Sequence, residues 1–393
     1  MDYHHSLVHP NDVMDCGSSF INERIAVRYF SIDLLRSTAI LVMVFVHFCE
    51  NLAGYTPVIA GMGAPMFMFL SGVSYSIWLN GQTNRGRTET GMTRVTIRRG
   101  LFLFGLGFVF NILVWSPQDV FNWDILTLIG VGLIALSFFR HVPLPAIVIL
   151  SAALFLMAPI AQSLTDWPSY WNDGYFDPDF TISDVLLGFF VTGYFPVIPW
   201  LGFPLLGFVV ATKVFQPVNQ VEQRKSDPAG LVTLIAIGIG LLGTAGALTL
   251  IRSTAPKSLA EKLPEAWTAF PPSLEYIVGV MGLTVTVFVS THWWLDRFLP
   301  GEKLKGLKNL TSTLGKYSLS IYLLHHLVHL WPLWIYGIAY GENYDDYWRK
   351  ATSVPVAILL ATLFLLTAFF LFRWIHRRDW PSIERLMRWL CDE

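Results

Sequence analysis

Long apolar runs alternate along the chain with short polar turns, and each run approaches the roughly 20 residues that a helix rising about 1.5 Å per residue needs to cross a hydrocarbon layer. The pattern predicts helices over 34–52, 58–79, 100–115, 123–139, 143–161, 197–214, 229–251, 273–291, 314–337 and 352–373. The stretch 184–200 is also apolar, but Pro196 and Pro199 interrupt it. It is expected as an interfacial or re-entrant piece, with Tyr194 and Trp200 suited to the membrane boundary. The expected fold class is therefore all-α, a polytopic membrane protein of about ten transmembrane helices. Its parts are a polar segment 1–28, a transmembrane domain 29–373 and a basic tail 374–393.

Composition agrees: 53% of the 393 residues are hydrophobic and 14% charged, too apolar a balance for a domain that faces water on all sides. No apolar core of a cleavable signal precedes residue 24, so the first helix is expected to direct insertion. Charge sets the orientation. With both termini cytoplasmic, only Arg252, Lys257, Lys262, Arg349 and Lys350 of the 27 basic residues fall on the outer side. Cys16, Cys49 and Cys391 are dispersed and suggest neither a disulfide framework nor a metal site. No phosphate-binding loop and no nucleic-acid module is present in the sequence, so nucleic acid is not an expected partner.

The outer segment 162–196 holds Asp166, Asp173, Asp177, Asp179 and Asp184 without a Lys or Arg, among Trp167, Tyr170, Trp171, Tyr175 and Phe176. Carboxylates among aromatics suit a polar, sugar-like or amine-bearing acceptor; a solvated loop with an aromatic belt fits the same composition. Asp173 and Trp171, with Glu50 and Asn51 at the outer end of the first helix, are the candidate acceptor contacts.

Arg36 and His47 share the first helix. Eleven residues make three turns plus about 20°, so the two side chains lie on one stripe roughly 16 Å apart. Both are costly against lipid, which directs the stripe to the protein interior or a water-filled path. Asp33, one turn before Arg36, can pair with it. A second cluster, His325, His326 and His329, lies in another apolar run; His325 and His329 share a face while His326 points about 100° away. The pair could hold zinc, but two ligands without a nearby Cys or Glu do not complete a site, and no metal is expected. Asp124 stands at the start of its helix, where it either orients a histidine or caps the helix.

The spacing Arg36-x10-His47 in SIDLLRSTAILVMVFVHF, followed in order by GAPMFMFLSG (63–72), WDILTLIG (123–130), FPVIPWLGFPLLG (195–207) and GKYSLSIYLLHH (315–326), resembles the integral-membrane acyltransferases similar to heparan-alpha-glucosaminide N-acetyltransferase. The likeness covers about residues 29–373 and is nearest to bacterial-type relatives, which also carry His at the end of the first helix. It implies an enzyme that takes an acyl group, acetyl above all, from cytosolic acyl-CoA and delivers it to a sugar, polysaccharide or glycolipid across the membrane.

Residues and resemblance together imply a mechanism. Coenzyme A phosphates dock at Arg36 with Asp33, Arg98 and Arg99 nearby, and His47 acts as the base. Asp124 orients it, and His325 or Tyr322 donates to the oxyanion. The expected setting is a prokaryotic inner membrane, among lipids, with a homodimer as one possible assembly. A proton-coupled transporter or flippase of a polar or glycolipid substrate is the alternative, because buried Arg, His and Asp also suit a proton relay.

Overall fold

The computed structural model describes residues 28–115, 119–172, 174–215, 228–255, 265–297, 304–341, 343 and 345–392. The expected N-terminal segment lies outside them except for Arg28. Helices α1 (Phe30–Ala53), α2 (Ala60–Asn84), α3 (Glu89–Val114), α4 (Ile125–Phe139) and α5 (Leu144–Leu164) lead to a small hairpin, β1 (Trp171–Asn172) paired antiparallel with β2 (Tyr175–Phe176). Then come α6 (Ile182–Leu187), α7 (Val197–Trp200), α8 (Gly202–Val214), α9 (Pro228–Thr254), α10 (Leu274–Arg297), α11 (Lys305–Lys316), α12 (Ser318–Ala339), α13 (Val354–Arg378) and α14 (Ile383–Cys391).

Every segment expected as a helix contains one. Among the described residues, eight helical stretches are long and apolar enough to cross a membrane: α1, α2, α3, α5, the interrupted run Ile182–Val214, α9, α10 and α13. The protein is an all-α integral membrane protein that passes through the bilayer several times. Helix α4, at 15 residues, spans only about 22 Å. The run 182–214 is broken: a wide turn at Gly188–Thr192 and extended backbone at Gly193 and Pro196 separate α6 from α7. Non-helical backbone of this kind is tolerated at membrane depth where protein covers it.

The bundle is organised around α1, which packs against α2, α10, α11, α12 and α13. More than half of its apolar window, 56%, is buried, against 11% for α9 at the periphery. Small residues let neighbouring backbones approach, as expected where lipid supplies no hydrophobic drive between helices. A Cβ at Gly72 of α2 would stand 1.9 Å from the Pro204 carbonyl oxygen of α8, and one at Gly207 would stand 2.1 Å from that of Phe69. Two of the sequence stretches quoted above, 63–72 and 195–207, therefore meet at one close helix crossing.

The basic tail is not a free tail. Leu386, Trp389 and Leu390 stay exposed on α14 while Cys391 is buried, and Glu384 ties it to α12 by accepting from Ser320 N (2.8 Å) and Ser320 Oγ (2.7 Å). Ser320 lies in the first turn of α12, where backbone N–H groups lack helical partners and favour an anion.

Candidate active site

Helix α1 ends just past His47. Gly54 takes a left-handed conformation (φ 65°), and Gly54 N and Tyr55 N close on the carbonyls of Glu50 and Cys49. From the neighbouring α12, His325 and His326 reach the same point: the His47 ring centroid is 5.4 Å from His325 and 4.6 Å from His326. His325, His326 and His329 are all buried, while His47 is half-buried.

Hydrogen bonds separate the roles of these rings. His329 Nδ1–H donates to the His325 carbonyl (2.5 Å), and its Nε2 accepts from the Asn51 amide (2.8 Å). Asn51 Oδ1 in turn accepts from the Trp348 indole (3.3 Å). His329 is thus a fully bonded strut between α1 and α12, and Asn51, expected at the acceptor, is buried with both ends of its amide engaged. His325 Nδ1–H donates to the Ile321 carbonyl (3.2 Å), which leaves Nε2 with its lone pair. Among the described residues neither His325 Nε2 nor His326 Nδ1 meets a partner.

Asp124 reaches the cluster through an intermediary. Its carboxylate caps α4 by accepting from Leu126 N (2.9 Å), and it accepts the Tyr322 hydroxyl at 2.9 and 2.7 Å. The Tyr322 ring lies 5.6 Å from His325 and 6.0 Å from His326. Of the two roles open to Asp124, capping is present; orientation acts on Tyr322 rather than on His47. Tyr322 has one proton and Asp124 holds it, so the hydroxyl has none left for an oxyanion.

Tyr322 also lines a cavity of about 620 Å³ that opens among cationic groups: Arg28, Arg36, Arg99 and Lys316. Its walls include Leu70, Ile125, Leu126, Ile129 and Leu133. The histidines do not line it, but Tyr322, in its wall, lies one helical turn from both His325 and His326. Arg36 donates to Ser74 Oγ. Asp33 does not pair with Arg36; it holds Arg28 through Nε (2.5 Å) and Nη2 (3.2 Å). Arg99 is engaged by Asp392 of the C-terminal segment (2.9 and 2.6 Å) and lies over the Trp78 ring. Arg98, the next residue, turns to a separate surface groove with Arg94 and Arg140. Burial, with Arg388 and Arg28 nearby, lowers the Lys316 ammonium from the ordinary lysine range. Lys316 and Ser74 were not among the expected site residues, although Lys316 opens the histidine-bearing stretch KYSLSIYLLHH.

On the opposite side of the cluster the rings continue outward. His326 contacts Trp115 (5.5 Å), Trp115 contacts Trp348 (5.6 Å), and Trp348 contacts Tyr175 of the hairpin (4.9 Å). Arg349 lies over both Tyr175 and Trp348, with Glu50 3.7 Å away. Trp171 stacks on Trp167 (4.6 Å) and donates to the Thr192 carbonyl (2.7 Å). Asp173 lies outside the described residues.

The sequence pattern of the family described as "Heparan-alpha-glucosaminide N-acetyltransferase, catalytic" matches residues 28–242. The chain belongs to this family. Membership makes it an enzyme of the acyltransferase type, in place of the transporter weighed above. The matched residues carry Arg36, His47 and Asp124 of the family-type chain, while Tyr322 and the α12 histidines lie beyond them. None of the curated proteins matches it.

Proposed function

We propose that the protein transfers an acyl group, acetyl in the simplest case, from cytosolic acyl-CoA to a sugar or glycoconjugate on the far side of the membrane. The single observation that carries this reading is the Tyr322 junction: one residue lines the cavity that opens at Arg28, Arg36, Arg99 and Lys316 and also touches the histidine rings. Family membership supplies the reaction type. The two expected helices outside the long apolar set, α4 and α12, complete about ten crossings, and the basic bias favours cytoplasmic termini.

In this reading the coenzyme's phosphates meet Arg36 and Lys316, the first a forked and the second a compact cationic donor. The slender pantetheine arm runs along Leu70, Ile125 and Ile129 and brings the thioester toward the rings. His47 takes the proton from an acceptor hydroxyl or amine as that atom attacks the thioester carbonyl. The carbon–oxygen or carbon–nitrogen bond forms, the tetrahedral intermediate collapses, the carbon–sulfur bond breaks, and the departing thiolate takes the proton back from His47. His326 is the donor to the oxyanion, through Nδ1, because His325 Nδ1 and Tyr322 have committed their protons elsewhere. Acceptor enters by the aromatic face of Trp115, Trp348 and Tyr175, where flat rings suit the apolar faces of a sugar.

Purified protein in detergent tests the reading. Free coenzyme A thiol is expected from acetyl-CoA only when a sugar alcohol or amino-sugar acceptor is present; thiol release indifferent to any acceptor would contradict it.

A further inference from the structure

Three ring nitrogens, one each from His47, His325 and His326, lie within 4.8 Å of one another. Adjacent residues leave a helix about 100° apart, yet the His325 and His326 rings turn toward each other, with centroids 4.1 Å apart. The ring of His47, entering from α1, closes the set. The third ligand that the sequence did not supply to the 325/329 pair thus comes from a different helix, and His329 drops out because its nitrogens are both bonded.

Three further features fit a bound cation. His325 Nδ1–H is anchored on a backbone carbonyl, the outer hydrogen bond that orients a ligating imidazole and leaves the opposite nitrogen bare. His325 Nε2 and His326 Nδ1 are buried and meet no partner among the described residues, in rings 0% and 2% exposed. A buried ring nitrogen without a partner bears the full cost of its lost hydration. The half-buried His47 leaves one side of the cluster accessible, as a site with an open fourth position requires.

We propose that His47, His325 and His326 form a binding site for one divalent d-block cation. Zinc fits best: it takes three imidazoles and an exchangeable fourth ligand in tetrahedral geometry, whereas magnesium and calcium require oxygen ligands that this set lacks. Asp124, the carboxylate that reaches the cluster through Tyr322, is occupied by Tyr322 and the start of α4. An ion here takes the lone pair with which His47 would accept the acceptor's proton. The loaded form is therefore inactive in transfer; this consequence rests on the proposed base role of His47, whereas binding itself does not.

The full-length protein in detergent, stripped with a chelator and titrated with Co²⁺, is expected to take up one equivalent with the visible absorption of tetrahedral nitrogen ligation. Zn²⁺ should displace it. His325→Phe and His326→Phe should each weaken uptake by more than about tenfold, while His141→Ala, at an exposed turn, leaves it unchanged. Should either core variant fail to fold, His47→Gln changes the accessible ligand alone and should weaken uptake equally. Uptake well below one equivalent, or uptake indifferent to all three histidines, overturns the site. Coenzyme A release on the same preparations keeps the two readings apart. Absent uptake with intact transfer removes the site and keeps His47 as base; saturable uptake with transfer only in the loaded form keeps the site and removes that base.

Discussion

Tyr322 gives its single hydroxyl proton to Asp124, whose two carboxylate oxygens lie 2.9 and 2.7 Å away. This contact joins α4 to α12 and sets the ring that separates the cationic cavity from the histidines. Tyr322→Phe leaves the Asp124 carboxylate with backbone N–H donors at the start of α4 and no side-chain donor, and the loss of a hydrogen bond to a charged group should lower stability by about 1.5–3 kcal/mol. Adding Asp124→Asn to that variant should recover part of the loss, since the amide still caps but carries no charge. Thermal unfolding of the four proteins of this cycle in detergent measures the coupling; strictly additive effects would show that the contact does not matter.

Arg36→Ala should raise the donor KM and leave kcat nearly unchanged, because Arg36 stands roughly 16 Å of helix away from His47. Loss of a charge-assisted contact worth about 1.5–3 kcal/mol corresponds to about ten- to 150-fold. Arg98→Ala should change neither constant, since its side chain lines a different groove. Initial rates against acetyl-CoA concentration decide both, and equal effects of the two substitutions would remove the cavity from the donor site.

His47→Ala should reduce transfer by about 10²–10⁴-fold, the usual worth of a positioned acid–base group. Membrane insertion and acyl-CoA binding should survive, since the cavity lies along α1 on the Arg36 side. Donor binding by calorimetry, set beside the rate, tests this; joint loss of binding and rate would make His47 a packing residue.

Asn51→Leu should act on stability and spare the acceptor KM. The substitution leaves His329 Nε2 and the Trp348 indole without their partners, at about 1–3 kcal/mol for each buried group so orphaned. A changed acceptor KM with unchanged melting temperature would return Asn51 to the acceptor site.

Much of this molecule was legible before any coordinate. Apolar run lengths located the helices, and the near-integral number of turns between Arg36 and His47 put both on one stripe of α1, where Arg36 lines the cavity and His47 meets the α12 histidines. What failed to show was which partner each polar side chain takes. Asp33 was within reach of Arg36 by helical spacing, but Arg28, outside the helix start, takes it in bidentate fashion. Arg98 and Arg99 are neighbours in sequence and 100° apart on α3, so only packing against α14 tells which one faces the cavity. The α12 histidines could be sorted by periodicity into one face and one outlier. Which of them meets His47 depends on how α1 crosses α12 and on Asn51, one turn further along α1, capturing His329. The tail gave no sign of its role in bracing α12, because Glu384 and Ser320 are 64 residues apart.

Sidedness is the most direct test of the account. In vesicles with the protein in one known orientation, acetyl-CoA should be consumed only on the face that carries Arg28, Arg36, Arg99 and Lys316, and the acylated acceptor should accumulate only on the face of the β1–β2 hairpin. Coenzyme A and acylated product on the same side, or transfer with both substrates supplied on the hairpin side alone, would contradict passage of the acyl group from the Arg36 cavity to His47.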